Sequence, residues 1–335
     1  MAQKPKIFLL TPTPSPFAER DAGILRQDYT VRELILESGS GANGRWRKMV
    51  IFAGILRGVL WADITYSWFA HNHAYLAVIL SRLFRKKSIV IVGGFEVANE
   101  PDIQYGGLLD AKFSRRVRYI IHNADQVFAV SDFNREEIQR LDRHRRIERV
   151  YNGIDCTAFT PQKGKEDLVI TVCVITRAAI PLKGLDTFIS AARALPQTKF
   201  AVIGRVLDDG IDILKQDAPS NVAFIESPSK KELLQWYRKA RVYCQLSYRE
   251  SFGVALAEAM SCECVPVVTD RGALPEIVGD TGFIVPYGDP ESTAEAIQAA
   301  LRSGRGKDAR ERVLTTFSIE QRQQTIRKAI DGRIA

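Results

Sequence analysis

Short β-branched runs alternate with stretches of helical spacing along most of the chain. In the second half "DLVITVCVIT" (167–176) has the continuous apolar run of a buried strand, and "GLDTFISAARAL" (184–195) places its apolar residues at helical spacing. The alternation continues through "KFAVIG" (199–204), "IDILKQD" (211–217), "NVAFIE" (221–226), "KKELLQWYRKA" (230–240) and "RVYCQLS" (241–247). A helix from about Phe252 follows, then "CVPVVT" (264–269) and "GFIVP" (282–286). Strands and helices alternating at this pace predict βα units on a parallel sheet.

The first half alternates less regularly. "KIFLLTP" (6–12), "ADITYSW" (62–68), "KSIVIVGG" (87–94) and "ADQVFAVS" (124–131) read as strands, "AGILRQDYTVRELILES" (22–38) and "HAYLAVILSRLF" (73–84) as helices. No strand is evident between 39 and 61, which predicts an abbreviated sheet. That interval holds "GRWRKMVIFAGILRGVLW" (44–61), a basic start followed by an apolar helix. Such a helix either faces a core or lies in a membrane interface. Glycine, proline and charge interrupt the pattern at "YNGIDCTAFTPQKGKED" (151–167). The expected architecture is α/β: two Rossmann-like, doubly wound parallel-sheet domains, 1–155 and 156–318. The segment 319–335 is expected to be a closing helix that packs back toward the first domain. Ligands of such sheets bind beyond the carboxyl ends of the strands, so a cleft between the domains is the expected site.

A length of 335 residues suits two domains, and 46% hydrophobic with 26% charged residues is a globular profile. No apolar run follows a basic amino-terminal start, which argues against a signal peptide. The longest apolar stretch, "MVIFAGILRGVLW" (49–61), is broken by Arg57 and too short to span a bilayer. Five cysteines at spacings that match no zinc pattern point to a reduced, cytoplasmic setting. The net charge of +8 is uneven: residues 1–150 hold 23 Lys and Arg against 16 Asp and Glu, and the remainder 24 against 23. The basic half is either a solvated surface or one drawn to an anionic partner. Neither half carries G-x-G-x-x-G after its first strand, which argues against a dinucleotide oxidoreductase.

Two clusters could carry chemistry. In "YRESFGVALAEAM" (248–260) Glu250 falls in the loop after a strand, and Glu258 falls within the first two turns of an apolar helix. Ser251 and Gly253 leave backbone N–H groups at the helix start, an anion site with the helix dipole behind it. A phosphate-bearing, hydroxyl-rich ligand would suit both carboxylates; alternatively Glu250 caps the helix and Glu258 pairs with a buried arginine. In "TRAAIPLKGLDTF" (176–188) Arg177 ends a strand and Lys183–Gly184 opens a helix. Two cations there can neutralise a diphosphate leaving group, or can simply be surface charges.

Together the motifs resemble those of the retaining GT-B glycosyltransferases of family 4, the glycosyl transferases group 1. The two glutamates are separated by seven residues within "ESFGVALAEAM", and Arg177 is followed six positions later by Lys183–Gly184. "VYNGIDCTAF" (150–159) is similar to the family's interdomain crossover, and "GALPEIVGDTGFIVPYGDP" (272–290) to its closing segment. The resemblance runs in order over about 124–302. It implies a hexosyltransferase-like enzyme that moves a sugar from a nucleotide-diphosphate sugar, a UDP- or GDP-sugar, with retention of configuration. Arg177 and Lys183 would grip the diphosphate, Glu250 the donor sugar and Glu258 the ribose, beside Gly184, Ser251, Phe252, Gly253 and Val254. No metal or other cofactor is implied, because the cations do that work. The acceptor would be a glycan or a lipid-linked acceptor. Peripheral contact of the basic half with an anionic membrane stays open beside a solvated surface, and no nucleic-acid partner is expected.

The first half departs from the family pattern. Many relatives begin the first helix with a glycine pair; "DAGILRQ" keeps Gly23 and Arg26 but has Ala22 in place of the first glycine. Where relatives carry a histidine after a strand, "IVGGFEV" has Gly93, although Gly94 and Glu96 keep the rest of that turn. His71 and His73 are the nearest substitutes. A non-catalytic nucleotide-sugar-binding protein, or another GT-B enzyme such as a nucleotide-sugar epimerase, are the alternatives.

Overall fold

The computed structural model describes residues 4–36, 44–143 and 147–334. The chain divides into two compact units, Met1–Tyr151 with Thr325–Ala335, and Asn152–Gln324.

The first unit is built on six parallel strands: β1 (Lys6–Thr11), β2 (Thr30–Ile35), β3 (Ile64–Trp68), β4 (Lys87–Val92), β5 (Gln126–Ala129) and β6 (Ile147–Arg149). They lie in the order β2-β1-β3-β4-β5-β6. Helices α1 (Pro16–Asp28), α2 (Gly44–Trp61), α3 (Asn72–Leu83), α4 (Ala111–Asn123) and α5 (Asp132–Leu141) connect them. β1, β3, β4 and β5 are buried along almost their whole length, so they read as continuous apolar runs.

Two expectations are corrected. The stretch 22–38 is not one helix: the chain leaves α1 at Asp28 and forms β2, which pairs with β1 from Lys6↔Thr30 to Thr11↔Ile35. β2 is a half-exposed edge strand, so "TVRELI" carries two charges and mimics an amphipathic helix. The second strand therefore lies at 30–35, and its absence from 39–61 does not shorten the sheet. β6 was not expected either, because three residues at a charged edge give almost no periodic signal.

α2 faces the core along one side and leaves apolar residues exposed along another. Ile55 and Val59 are buried with Phe8, Leu10, Ala62 and Ala77. Gly58 allows that approach, since a Cβ there would sit 2.2 Å from the Phe8 ring. Trp46, Met49, Val50, Phe52 and Leu60 of the same helix are exposed. No helix among the described residues is long and apolar enough to cross a membrane.

The second unit repeats the plan: β7 (Glu166–Val172), α6 (Ala179–Lys183), α7 (Leu185–Ala194), β8 (Lys199–Gly204), α8 (Gly210–Asp217), β9 (Val222–Glu226), α9 (Lys230–Lys239), β10 (Ala240–Gln245), α10 (Val254–Ser261), β11 (Val265–Thr269) and β12 (Phe283–Val285). Its strands are parallel in the order β12-β11-β10-β7-β8-β9. A capping box of Ser229 and Glu232 starts α9, and Phe188, Phe200, Val202 and Val242 sit in the core. Strand order reverses between β7 and β10 here, and between β1 and β3 in the first unit. Parallel α/β sheets open a crevice beyond the strand ends at such points.

The helix Ile319–Ile334 closes the chain, and its residues from Thr325 onward belong to the first unit. There Arg327 pairs with Asp28, and the Tyr29 hydroxyl donates to Asp331 at 2.8 Å. All five cysteines are free, and four are buried. Burial pushes the Cys173 thiol up to about 11 and the Cys262 thiol to about 12, which leaves neither a nucleophile at neutral pH.

Candidate functional site

In the second unit the loops after β7 and β10 meet at the reversal point. The Lys183 ammonium donates to Glu250 Oε2 at 2.8 Å, with both side chains mostly covered. Gly184 makes that meeting possible. It lies in the left-handed region at φ 62°, between α6 and α7, and a Cβ there would sit 2.1 Å from the Leu246 carbonyl oxygen. Only glycine suits both conditions. The Tyr248 N–H donates to the Leu182 carbonyl at 2.9 Å, which holds the end of α6 against the loop after β10.

Glu250 is fixed from behind by polar groups whose role the sequence did not disclose. Gln245 Nε2 stands 3.4 Å from Glu250 Oε2, and its own carbonyl accepts from the Tyr243 hydroxyl at 2.9 Å. The Ala273 N–H donates to the Glu250 carbonyl at 2.8 Å. Gly272 permits this close approach, at φ 62° with Cβ space only 2.3 Å from that carbonyl oxygen. Gly272, within the closing segment 272–290, is the sequence signal for this contact.

α10 starts at Gly253 in the left-handed region, with no side chain capping it. Glu250 is therefore not the helix cap; it is the partner of Lys183. Phe252 is buried, with its ring edge-on to Phe317 at 5.5 Å, so only its backbone could meet a ligand. Arg249 Nη1 donates to Ser251 Oγ at 3.3 Å, and Val254 opens the helix. Glu258, one turn on, lies 3.5 Å from the hydroxyl of the buried Tyr237, whose proton is held tightly by burial and by that carboxylate. Arg177 stands apart from the Lys183–Glu250 pair. Its guanidinium is exposed and paired with Asp209, which keeps the arginine proton on and the Asp209 carboxyl low. Its backbone N–H donates to Asp208 Oδ1 at 3.0 Å.

In the first unit the proposed acceptor-side residues separate. Gly23 lies in the middle of α1 with open space around it, not ahead of the helix, because α1 begins at Pro16. Arg26 pairs with Glu33 of β2 at the surface. Glu96 is fully buried and accepts three backbone N–H groups: Ala70 at 3.0 Å, Gly93 at 3.1 Å and Gly94 at 2.9 Å. A carboxylate so engaged braces the turn after β3 to the turn after β4. His71 follows directly in that braced turn, half-buried at the start of α3 and edge-on to Phe113 at 5.0 Å. His73 is a scaffold residue: its Nε2–H donates to the Trp68 carbonyl at 2.8 Å, and burial holds the imidazole down to about 4. Gly93 has a steric cause, because a Cβ there would lie 2.5 Å from the Phe69 ring. Among the described residues no group of three or more His, Cys, Asp and Glu is arranged to hold a metal ion.

Comparison with known proteins places the residues of each unit in context. Residues 157–314 match the model of the Glycosyl transferases group 1, and residues 3–158 that of Glycosyltransferase Family 4. The chain is 32% identical over 183 residues to a D-inositol 3-phosphate glycosyltransferase of Mycobacteroides abscessus, covering 48% of this chain and 40% of that protein. It is 28% identical over 236 residues to the lipopolysaccharide core biosynthesis mannosyltransferase LpcC of Rhizobium leguminosarum bv. viciae, covering 62% and 65%. The matched part spans less than half the length of the inositol phosphate relatives. Among solved structures, Anabaena Alr3699/HepE in complex with UDP and glucose superposes with a TM-score of 0.78 at 17% identity, over 98% of this chain and 100% of that one. Sucrose-phosphate synthase from Thermosynechococcus elongatus gives the same score and identity over 98% and 99%. At that identity the likeness concerns the fold, two Rossmann-like α/β domains of GT-B type.

Proposed function

The chain belongs to the group 1 glycosyl transferases of glycosyltransferase family 4, and from that premise we propose that it transfers a sugar, with retention, from a nucleotide-diphosphate sugar to an acceptor hydroxyl. The observation that carries this is the Lys183–Glu250 pair at the strand-order reversal, pressed together by Gly184 and Gly272. A cation and a carboxylate there suit the two ends of such a donor. Lys183 would turn to the diphosphate, and Glu250, released from it, would accept hydrogen bonds from sugar hydroxyls. Arg177, exposed on a flexible side chain, would exchange Asp209 for phosphate oxygens. Glu258 would take the ribose hydroxyls. With these cations on the leaving diphosphate, we propose that transfer needs no metal.

The donor is most simply tested by thermal shift with UDP-, GDP- and ADP-sugars. A nucleotide sugar held at a hundred times its Kd raises stability by about 2.7 kcal/mol. A selective shift identifies the donor base, and no shift with any of them overturns the assignment. A non-catalytic binder is the second reading, favoured by the missing histidine at Gly93. Release of free sugar from the donor distinguishes the two, since a pure binder releases none.

We further propose that the enzyme works at the cytoplasmic face of an anionic membrane, on a lipid-linked acceptor. The support is the exposed apolar side of α2, with Trp46, Met49, Val50 and Phe52 beside Lys48, on the half of the chain that carries nearly all the net charge. Flotation with anionic liposomes at low salt tests it; protein left at the bottom of the gradient removes the membrane contact.

A further inference from the structure

The first unit contains a cavity of about 830 Å³ between α2 and the turns after β1 and β3. Its volume falls within the range of about 300–1,000 Å³ typical of small-molecule sites. Three observations bear on what it holds. First, its position: Pro12 follows β1 and His71 follows β3, so the cavity opens where the strand order reverses, the ligand crevice of a doubly wound sheet. Second, its lining is mainly apolar, with Leu36, Ile51, Phe52 and Leu76 among its walls. Third, Met49 and Phe52 line the cavity and are also exposed on the outer surface of α2. The interior is thus continuous with the exposed apolar side of that helix.

Its polar groups are few, and none is acidic. Lys48 stands at the wall on the α2 side, and His71 on the β3 side. His73 is committed to the Trp68 carbonyl, and Asn72 accepts from Arg116 at 2.8 Å. Among the lining residues no carboxylate occurs. An apolar channel with a lysine at its wall complements an anionic amphiphile, and repels neither its chain nor its charge.

We propose that this cavity takes the hydrocarbon chain of the lipid-linked acceptor, with an anionic head group at Lys48 and the polar end beside His71. The proposal rests on the transfer reading for the word acceptor, but not for the binding itself. Glu96 is then a positioning residue, since it holds the Ala70 N–H next to His71.

The test uses dansyl-undecanoic acid as a fluorescent probe on the full chain, below its micelle concentration. Expected are saturable binding, displacement by decyl phosphate, weaker displacement by decanol, and none by inorganic phosphate. Ala53→Trp places bulk in the cavity from an exposed helix position. It should weaken the probe by about tenfold, the equivalent of roughly two buried methylenes. Phe52→Glu, also at an exposed wall position, should do the same if Ala53→Trp folds poorly. No saturable binding to the wild type, or equal binding by wild type and both variants, overturns the proposal. Equal displacement by decanol and decyl phosphate overturns its anionic part, and displacement by inorganic phosphate alone overturns its apolar part. The nucleotide-sugar thermal shift on the same preparations reports independently. If it is present while the probe does not bind, the cavity proposal fails and the transfer reading stands. If it is absent while the probe binds, the transfer reading fails and the lipid cavity stands.

Discussion

The ring of Phe69 occupies the space that a side chain at Gly93 would need, with a Cβ at 93 only 2.5 Å from the ring. Phe69 itself lies in the left-handed region at φ 68°, a conformation that costs a bulky residue on the order of 1 kcal/mol or more. Phe69 and Gly93 are therefore a matched pair, and the family's histidine cannot simply be put back.

Gly93→His is expected to destabilise the chain by about 1–3 kcal/mol, as overpacking does, and not to raise transfer. Phe69→Gly in the same chain removes the ring and suits the backbone at 69. Urea unfolding should show the two losses combining to less than their sum. Simple addition of the two would mean that Phe69 and Gly93 do not interact.

Lys183→Ala leaves Glu250 without its 2.8 Å partner. Both side chains keep some solvent contact, so the stability cost should stay within about 1 kcal/mol. Transfer should fall at least about a hundredfold, as for removal of a group that stabilises developing charge. Single-turnover kinetics check this; wild-type turnover in the variant would sink the role of Lys183.

At Gly184 the expectation reverses in kind. Gly184→Ala forces a Cβ to 2.1 Å from the Leu246 carbonyl oxygen, at a φ of 62°. The backbone must shift, at a cost of more than about 1 kcal/mol. Because that contact places Lys183, donor affinity should drop along with the melting temperature. A variant that melts lower yet binds donor normally would detach the glycine from the site.

His73 predicts a pH dependence unrelated to catalysis. Its folded value of about 4 lies below the ordinary 6.5, so the fold prefers the neutral ring. Between those values the unfolded chain binds the extra proton, and stability rises with pH. The contribution is fully present above pH 6.5 and lost as pH falls toward 4, up to about 3 kcal/mol for this buried group. His73→Gln should flatten the unfolding free energy across that window; an unchanged slope would show that another group titrates there.

The sequence by itself determined the alternating βα plan, because a strand buried on both faces must be a continuous apolar run and a covering helix must carry an apolar stripe. β7, β8, β10 and β11 were legible for that reason, and so were the spacings of Glu250, Glu258, Arg177 and Lys183. β2 escaped because an edge strand needs little apolar surface, and "TVRELI" satisfies helix and strand patterns alike. Tertiary structure alone decided which charges meet. Lys183 and Glu250 are 67 residues apart, and only the packing of α6 against the end of β10, through Gly184, brings them together. It also decided that Glu96 is a brace, since hydrogen bonds from Ala70, Gly93 and Gly94 join two loops whose proximity no local pattern encodes, and that His73 is buried while His71 is only half-buried.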